Sequence, residues 1–114
     1  MSLDFTINAV TTGLKSEKTV ARTYILYPAY PNPFNPSTKI TYEIPEQSMV
    51  KINIYNVLGE EISEPVNNVQ SVGTYNFSWN ASNLASGFYF LTINAASLQS
   101  QNKFTKTIKM ILLK

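Results

Sequence analysis

Apolar and polar residues alternate along most of the chain, which is the pattern of half-buried β-strands. The clearest example is the segment 38–44, whose apolar positions are Ile40, Tyr42 and Ile44. Segment 88–94 is apolar almost throughout, as is typical of a central strand. No segment shows a sustained helical period. Four further segments have strand character: 50–55, 60–64, 73–80 and 104–113.

Turn residues separate these segments at the spacing of about 8–12 residues that is usual for sandwiches. Residues 56–59 form a predicted turn in which Gly59 is free to adopt a positive φ. Pro65 is expected to stop the short strand before it, and segments 66–72 and 95–102 are expected to be loops. We therefore predict an all-β fold, an immunoglobulin-like antiparallel β-sandwich of about seven strands.

A proline-rich segment precedes the regular strands. Prolines at alternate positions exclude a helix and a central strand, and predict a stiff, extended segment with Asx-type turns at Asn32 and Asn35. Phe34 is expected to plug one end of the core. A pre-organised extended segment also suits recognition by a partner. The segment comprises Pro31, Asn32, Pro33, Phe34, Asn35 and Pro36.

Residues 1–23 have a different character from residues 24–114. Leu3, Phe5 and Ile7 alternate with polar residues, which predicts a possible extra strand, and a polar stretch follows. We interpret 1–23 as a linker or a borrowed strand, and 24–114 as one domain. The first residues lack the basic and apolar regions of a signal peptide, so a fragment of a larger protein is expected.

The amino-acid composition excludes several kinds of binding and catalytic site. The 114 residues are 44% hydrophobic and 14% charged, with a net charge of +2. The basic residues are dispersed, so no nucleic-acid-binding surface is predicted. No stretch reaches the roughly 18 apolar residues of a membrane span. The absence of cysteine and histidine excludes disulfides and removes the commonest general base and metal ligand.

No catalytic, cofactor-binding or metal-binding group emerges from the sequence. Glu60 and Glu61 are adjacent and point to opposite faces of a strand, which makes them a poor catalytic pair. A small hydrolase has no Gly-x-Ser-x-Gly motif to support it. A carbohydrate-binding or adhesive module is a stronger alternative, because Tyr75, Phe77 and Trp79 share a strand face and could stack on sugars. Their polar neighbours favour a core position instead.

Four ordered blocks resemble the C-terminal sorting domains of the type IX (Por) secretion system. The first is the proline-rich segment with the strand after it; the second ends in an Asn-x-x-Gly turn at Asn56 and Gly59. The third includes 73–75, Trp79 and 84–90, a segment that contains Gly87, and the fourth is the final segment, 109–114. The resemblance covers about residues 24–114. Residues 1–23 lie outside it and are expected to be a linker or the end of a passenger region.

The resemblance implies a non-catalytic targeting module that is secreted, or carried to the outer cell surface through the periplasm. Its expected partners are the type IX translocon, a surface sortase that removes the module, and an N-terminal passenger domain. A monomer, or a weak dimer through edge strands, is expected. The sorting-signal candidates are Pro31, Asn32, Pro33, Phe34, Asn35, Pro36, Gly59, Gly87, Lys109, Met110, Leu112, Leu113 and Lys114.

The last strand has two interpretations. Dispersed lysines such as Lys103 and Lys109 protect an exposed edge strand from aggregation. A terminal strand can also be recognised by addition to a partner's sheet.

Overall fold

The computed structural model describes residues 23–114; the extra strand considered near the N-terminus lies outside the described residues. This part of the chain forms seven strands and confirms the all-β prediction. They are β1 (Ile25–Leu26), β2 (Ser37–Ile44), β3 (Ser48–Tyr55), β4 (Glu61–Gln70), β5 (Gly73–Asn80), β6 (Gly87–Ser97) and β7 (Lys103–Leu112).

The strands make two sheets, as an immunoglobulin-like sandwich requires. One sheet has the order β1-β2-β5 and the other has the order β4-β3-β6-β7, and all pairs between neighbouring strands are antiparallel. β6 lies inside the second sheet, which confirms its prediction as a central strand. β7 and β4 are the two edges of that sheet.

Strand alternation places the core between the sheets. Ile40, Tyr42 and Ile44 of β2 are buried, and they face the buried residues of β3 and β6. Across the sheets, the hydroxyl of Tyr42 donates to Oε1 of Gln70 at 2.6 Å. Tyr24 stacks on Phe104, with ring centroids 5.5 Å apart, which joins the start of the described chain to β7.

The prediction that Pro65 stops a short strand was wrong. β4 continues through Pro65 to Gln70, because it is an edge strand that needs no backbone donor on its open side. Val66 pairs with Ile52, and Ser63 pairs with Ile54, so two residues of β4 oppose Asn53 alone. This bulge accommodates the proline. The sequence of β4 resembles a loop because most of its side chains are exposed.

The loop predicted for 95–102 is also shorter than expected. β6 extends to Ser97, with Ala95 buried and paired with Phe104. The turn proper begins at Leu98, whose N–H donates to the carbonyl oxygen of Gln47 at 2.9 Å. Residues 23–114 contain no helix with the length and apolar character needed to cross a membrane.

Candidate functional site

All of the sorting-signal candidates lie at one end of the sandwich. Gly87, at the start of β6, pairs with Leu112, near the end of β7. Tyr55, the last residue of β3, pairs with Phe90 of β6, so the 56–59 turn lies at this same end. We call this end the C-terminal pole; it comprises residues 31–36, 56–59, 81–87 and 109–114.

Phe34 joins the proline-rich segment to β7. Its side chain is 2% exposed and lies against Trp79, with ring centroids 5.8 Å apart. Its N–H donates to the carbonyl oxygen of Ile111 (2.8 Å), and its carbonyl oxygen accepts from the N–H of Leu113 (3.0 Å). These contacts confirm that Phe34 plugs one end of the core. They also make it a one-residue extension of the sheet beyond β7.

Asn32 extends the same edge with its side chain. Its Nδ2 donates to the carbonyl oxygen of Lys109 (2.9 Å), and its Oδ1 accepts from the N–H of Ile111 (2.9 Å). The amide therefore occupies the place of a paired peptide group. The Asx-type turn expected at Asn32 was wrong, because its side chain bonds to β7 instead of to its own loop.

The proline-rich segment is bent over most of its length, whereas a stiff, extended segment with two Asx-type turns was expected. Bends occur at 31–33 and 35–36, and Tyr30–Pro31, Asn32–Pro33 and Asn35–Pro36 are cis peptide bonds. The carbonyl oxygen of Pro36 accepts from the N–H of Ala81 at 2.9 Å. Residues 31–36 thus lie along the pole between β5 and β7 and do not project from it.

Lys114 is held by the loop that precedes β6. Its Nζ donates to the carbonyl oxygens of Ser82 (2.8 Å) and Leu84 (2.9 Å). Its N–H donates to Oγ of Ser86 (2.9 Å). The sequence did not identify Ser82, Leu84 or Ser86 as partners, because their contribution is largely backbone carbonyls brought near by the β6–β7 pairing.

Both candidate glycines have a positive φ, a backbone conformation that other residues rarely adopt. Gly59 has φ +81°, and Gly87, where β6 begins, has φ +151°. Asn56 stabilises the first turn, because its Oδ1 accepts from the N–H of Leu58 (2.9 Å) and of Glu60 (3.0 Å). An aspartate in its place would offer the same acceptor. This explains the Asn-x-x-Gly pattern structurally.

The sorting-signal candidates in and just after β7 lie in two different environments. Met110 and Leu112 are fully buried in the core, as their shared parity predicted. Lys109 and Leu113 are on the outside; Leu113 is 57% exposed, and the Nζ of Lys109 lies 5.2 Å from the ring centroid of Phe88. In the folded domain, only the outward group is open to a partner.

The aromatic residues of β5 do not form an open platform. Trp79 is buried and packs edge-on against Tyr89, with centroids 5.7 Å apart. Tyr75 and Phe77 are half-buried and pack against the core, and Tyr75 stacks on Tyr42. Their placement agrees with the core interpretation and removes the main support for a sugar-binding strip on this strand.

Comparison with known proteins identifies the family of the chain. The family model described as "secretion system C-terminal sorting domain" matches residues 28–108. A solved structure of PorZ, a surface component of the type IX secretion system of Porphyromonas gingivalis, matches 78% of this chain at 20% identity with a TM-score of 0.47. The match spans 11% of the PorZ chain. No curated protein sequence matches the chain at a significant level.

Proposed function

The chain belongs to the family of secretion system C-terminal sorting domains, and from that premise we propose that it directs a passenger protein through the type IX secretion system to the outer surface. In this proposal, residues 24–114 are the sorting domain and the passenger precedes them. The domain itself is non-catalytic, in keeping with its family.

The observation that carries the proposal is the convergence at the C-terminal pole. Asn32 and Phe34 bond to the outer edge of β7, so the first and the last parts of the domain form one surface. The contacts of Lys114 with the 82–86 loop fix the tip of the chain on that surface. A partner that binds here contacts both parts at once.

This arrangement fits a mechanism in which the folded domain presents the sorting signal on its surface. Buried Met110 and Leu112 hold β7 in place from inside, while Lys109 and Leu113 point outward. Such a surface is pre-organised, and recognition then avoids the entropy cost of ordering a free tail. The translocon would grip the folded pole, and a surface sortase would cut upstream, in the region 11–29, after passage through the periplasm.

Secretion of a reporter tests this function. A fluorescent protein fused to residues 24–114 is expressed in a type IX-competent bacterium and quantified at the surface. A double variant, Leu113→Ser with Lys114→Ala, alters the exposed tip. Its matched control is Leu98→Ser with Lys103→Ala, because Leu98 (56% exposed) matches Leu113 (57%) but lies at the opposite end of the sheet.

We expect the parent and the control fusion to reach the surface and the tip variant to remain inside. Thermal melting of each purified domain verifies that the variants are folded. Export of the tip variant at the parent level would show that the tip is not recognised. Retention of the parent fusion, while a known sorting domain is exported, would refute the targeting function itself.

A further inference from the structure

The outer face of the four-stranded sheet changes character along its length. Near the far end it carries polar groups such as Thr92, Thr107 and Asn94. Toward the C-terminal pole it carries an apolar patch that faces away from the core. The patch comprises Tyr55, Phe88, Phe90, Ile111 and Leu113.

The patch is open to solvent in the described part of the chain. Phe88 is 48% and Leu113 is 57% exposed, and Tyr55, Phe90 and Ile111 are partly exposed. Phe88 pairs with Ile111 across the strands, so the side chains form one continuous surface. Contiguous exposed apolar surface next to charged groups is characteristic of protein interaction sites.

Charge is distributed asymmetrically around the patch. One cross-strand row runs through all four strands: Glu61 pairs with Tyr55, Tyr55 with Phe90, and Phe90 with Lys109. Both ends of the row are exposed. An acid therefore lies at one side of the aromatic centre and a base at the other, about 14 Å apart at ordinary strand spacing.

This row is complementary to itself. If two copies pack patch to patch about a twofold axis parallel to the strands, Glu61 of each copy meets Lys109 of the other. Both ion pairs form together, and the aromatic side chains fill the centre. The strands of the two sheets then run in nearly the same direction, which is the common geometry of sheets packed face to face.

We propose that this patch is a reversible homodimer interface. The patch is smaller than the roughly 20–30 residues per side of a stable complex, so the expected association is weak and depends on protein concentration. Exposed ion pairs are screened by salt, so raising the ionic strength weakens the dimer. Leu113 and Lys109 are also sorting-signal candidates, so the dimer covers part of the surface that the proposed secretion function uses.

Charge reversal tests the pairing in solution. Sedimentation velocity of the full chain measures association for Lys109→Glu, for Glu61→Lys and for the double variant. Each single reversal places like charges opposite each other and is expected to weaken association at least tenfold; the double variant restores it. Lys103→Glu, an exposed change in the same strand outside the patch, is the matched control and leaves association unchanged.

Mixing the two single variants separates lost contact from lost folding. The Lys109→Glu copy carries an acid at both ends of the row, and the Glu61→Lys copy carries a base at both ends. The two copies therefore fit each other at both pairs, and the mixture is expected to form heterodimers although each variant alone stays monomeric.

A parent chain that is monomeric at 1 mM overturns the proposal and leaves the patch to a different protein. A dimer insensitive to both reversals also overturns it. Neither result depends on secretion.

Discussion

Asn56 and Gly59 make the turn after β3 by different means. Asn56 accepts two backbone N–H groups on its side-chain oxygen, while Gly59 takes a left-handed φ of +81°. A Cβ built at Gly59 meets no heavy atom within 4 Å. The glycine is therefore required for its backbone conformation and not for space.

Replacing Gly59 tests this distinction. Gly59→Ala is expected to cost about 1–2 kcal/mol of unfolding free energy, because an alanine pays the left-handed penalty. Gly59→Asn is expected to cost less, because asparagine tolerates that conformation. Urea denaturation of the two variants checks the order. A loss for Gly59→Asn that equals or exceeds the loss for Gly59→Ala would contradict the backbone explanation.

Glu46 links the turn after β2 to the turn after β6. Its Oε2 accepts from Oγ of Ser100 (2.7 Å) and from Nδ2 of Asn102 (3.0 Å). These hydrogen bonds, that from Ser100 above all, lower the pKa of the Glu46 carboxyl from its ordinary value of 4.5. The folded state thus holds this proton more weakly than the unfolded state does.

The sign of the pH effect follows from this lowered pKa. The contribution of Glu46 to stability is present above its unfolded pKa and is lost as the pH falls through its folded pKa. Glu46→Gln is therefore expected to melt below the parent near neutral pH, and the two melting temperatures should converge as the pH falls from 4.5 through the lowered pKa of Glu46. Calorimetric scans from pH 7 to pH 3 measure the difference. A difference that stays constant over this range would argue against the carboxylate.

At the scale of elements, β7 depends on a segment that is not a strand. Its inner side pairs with β6, and its outer side near the pole pairs with Asn32 and Phe34. An edge that is covered over part of its length has fewer free groups for aggregation. The proline-rich segment thus protects the strand that ends the chain.

Loss of the Asn32 amide should release this edge locally. In Asn32→Ala, the amide of Ile111 loses its acceptor and is expected to exchange hydrogen at least tenfold faster. Asn35→Ala is the control, since the Asn35 side chain forms no hydrogen bond to residues 23–114. Exchange followed by NMR at single amides gives the result. Unchanged protection at Ile111 would mean that the segment does not hold the edge.

The local sequence pattern predicted the strands whose inward and outward faces are determined by burial. It missed the features that depend on which segments pair with each other. The parity of Ile40, Tyr42 and Ile44 follows from one buried face, which the sequence displays directly. The passage of β4 through Pro65 depends on its position at an edge, and that position is a property of the assembled sheet. The bond from Asn32 to β7 joins residues 77 positions apart. No local signal encodes it.

The candidate site, too, was predictable from the sequence only in part. The sequence and its family resemblance identified the proline-rich segment and the final strand separately, and the structure brings them together at one pole. The mixed environment of β7 was partly predictable, because Met110 and Leu112 share a parity. The capture of Lys114 by backbone carbonyls was not predictable, since a carbonyl acceptor carries no residue type.

At the scale of the whole molecule, the sandwich relies on a single core. The sequence contains no cysteine, so packing must provide its stability. That core includes residues of the last strand, among them Leu112, which is fully buried. Changes near the end of β7 can therefore affect stability as well as the recognition proposed for this segment.

Two neighbouring leucines separate these effects. Leu112→Ala is expected to cost about 2–5 kcal/mol of unfolding free energy through the cavity that it leaves. Leu113→Ala, at an exposed position, is expected to change it by less than about 0.5 kcal/mol. Chemical denaturation followed by Trp79 fluorescence measures both. Similar losses at the two positions would contradict the assigned facing of β7.

The course of the chain gives the domain a mechanical direction. Ile25 pairs with Glu43 at the end of the sandwich opposite the C-terminal pole, whereas Lys114 lies at the pole itself. A pull between residues 24 and 114 therefore acts along the strands, so that the hydrogen bonds between strands are loaded in shear and resist together. Pulling from residues 24 and 100, which lie at the same end, peels them one after another. Optical-tweezers experiments with these two handle pairs should give the higher rupture force for the first. The fold is then expected to withstand traction along its strands better than traction across them.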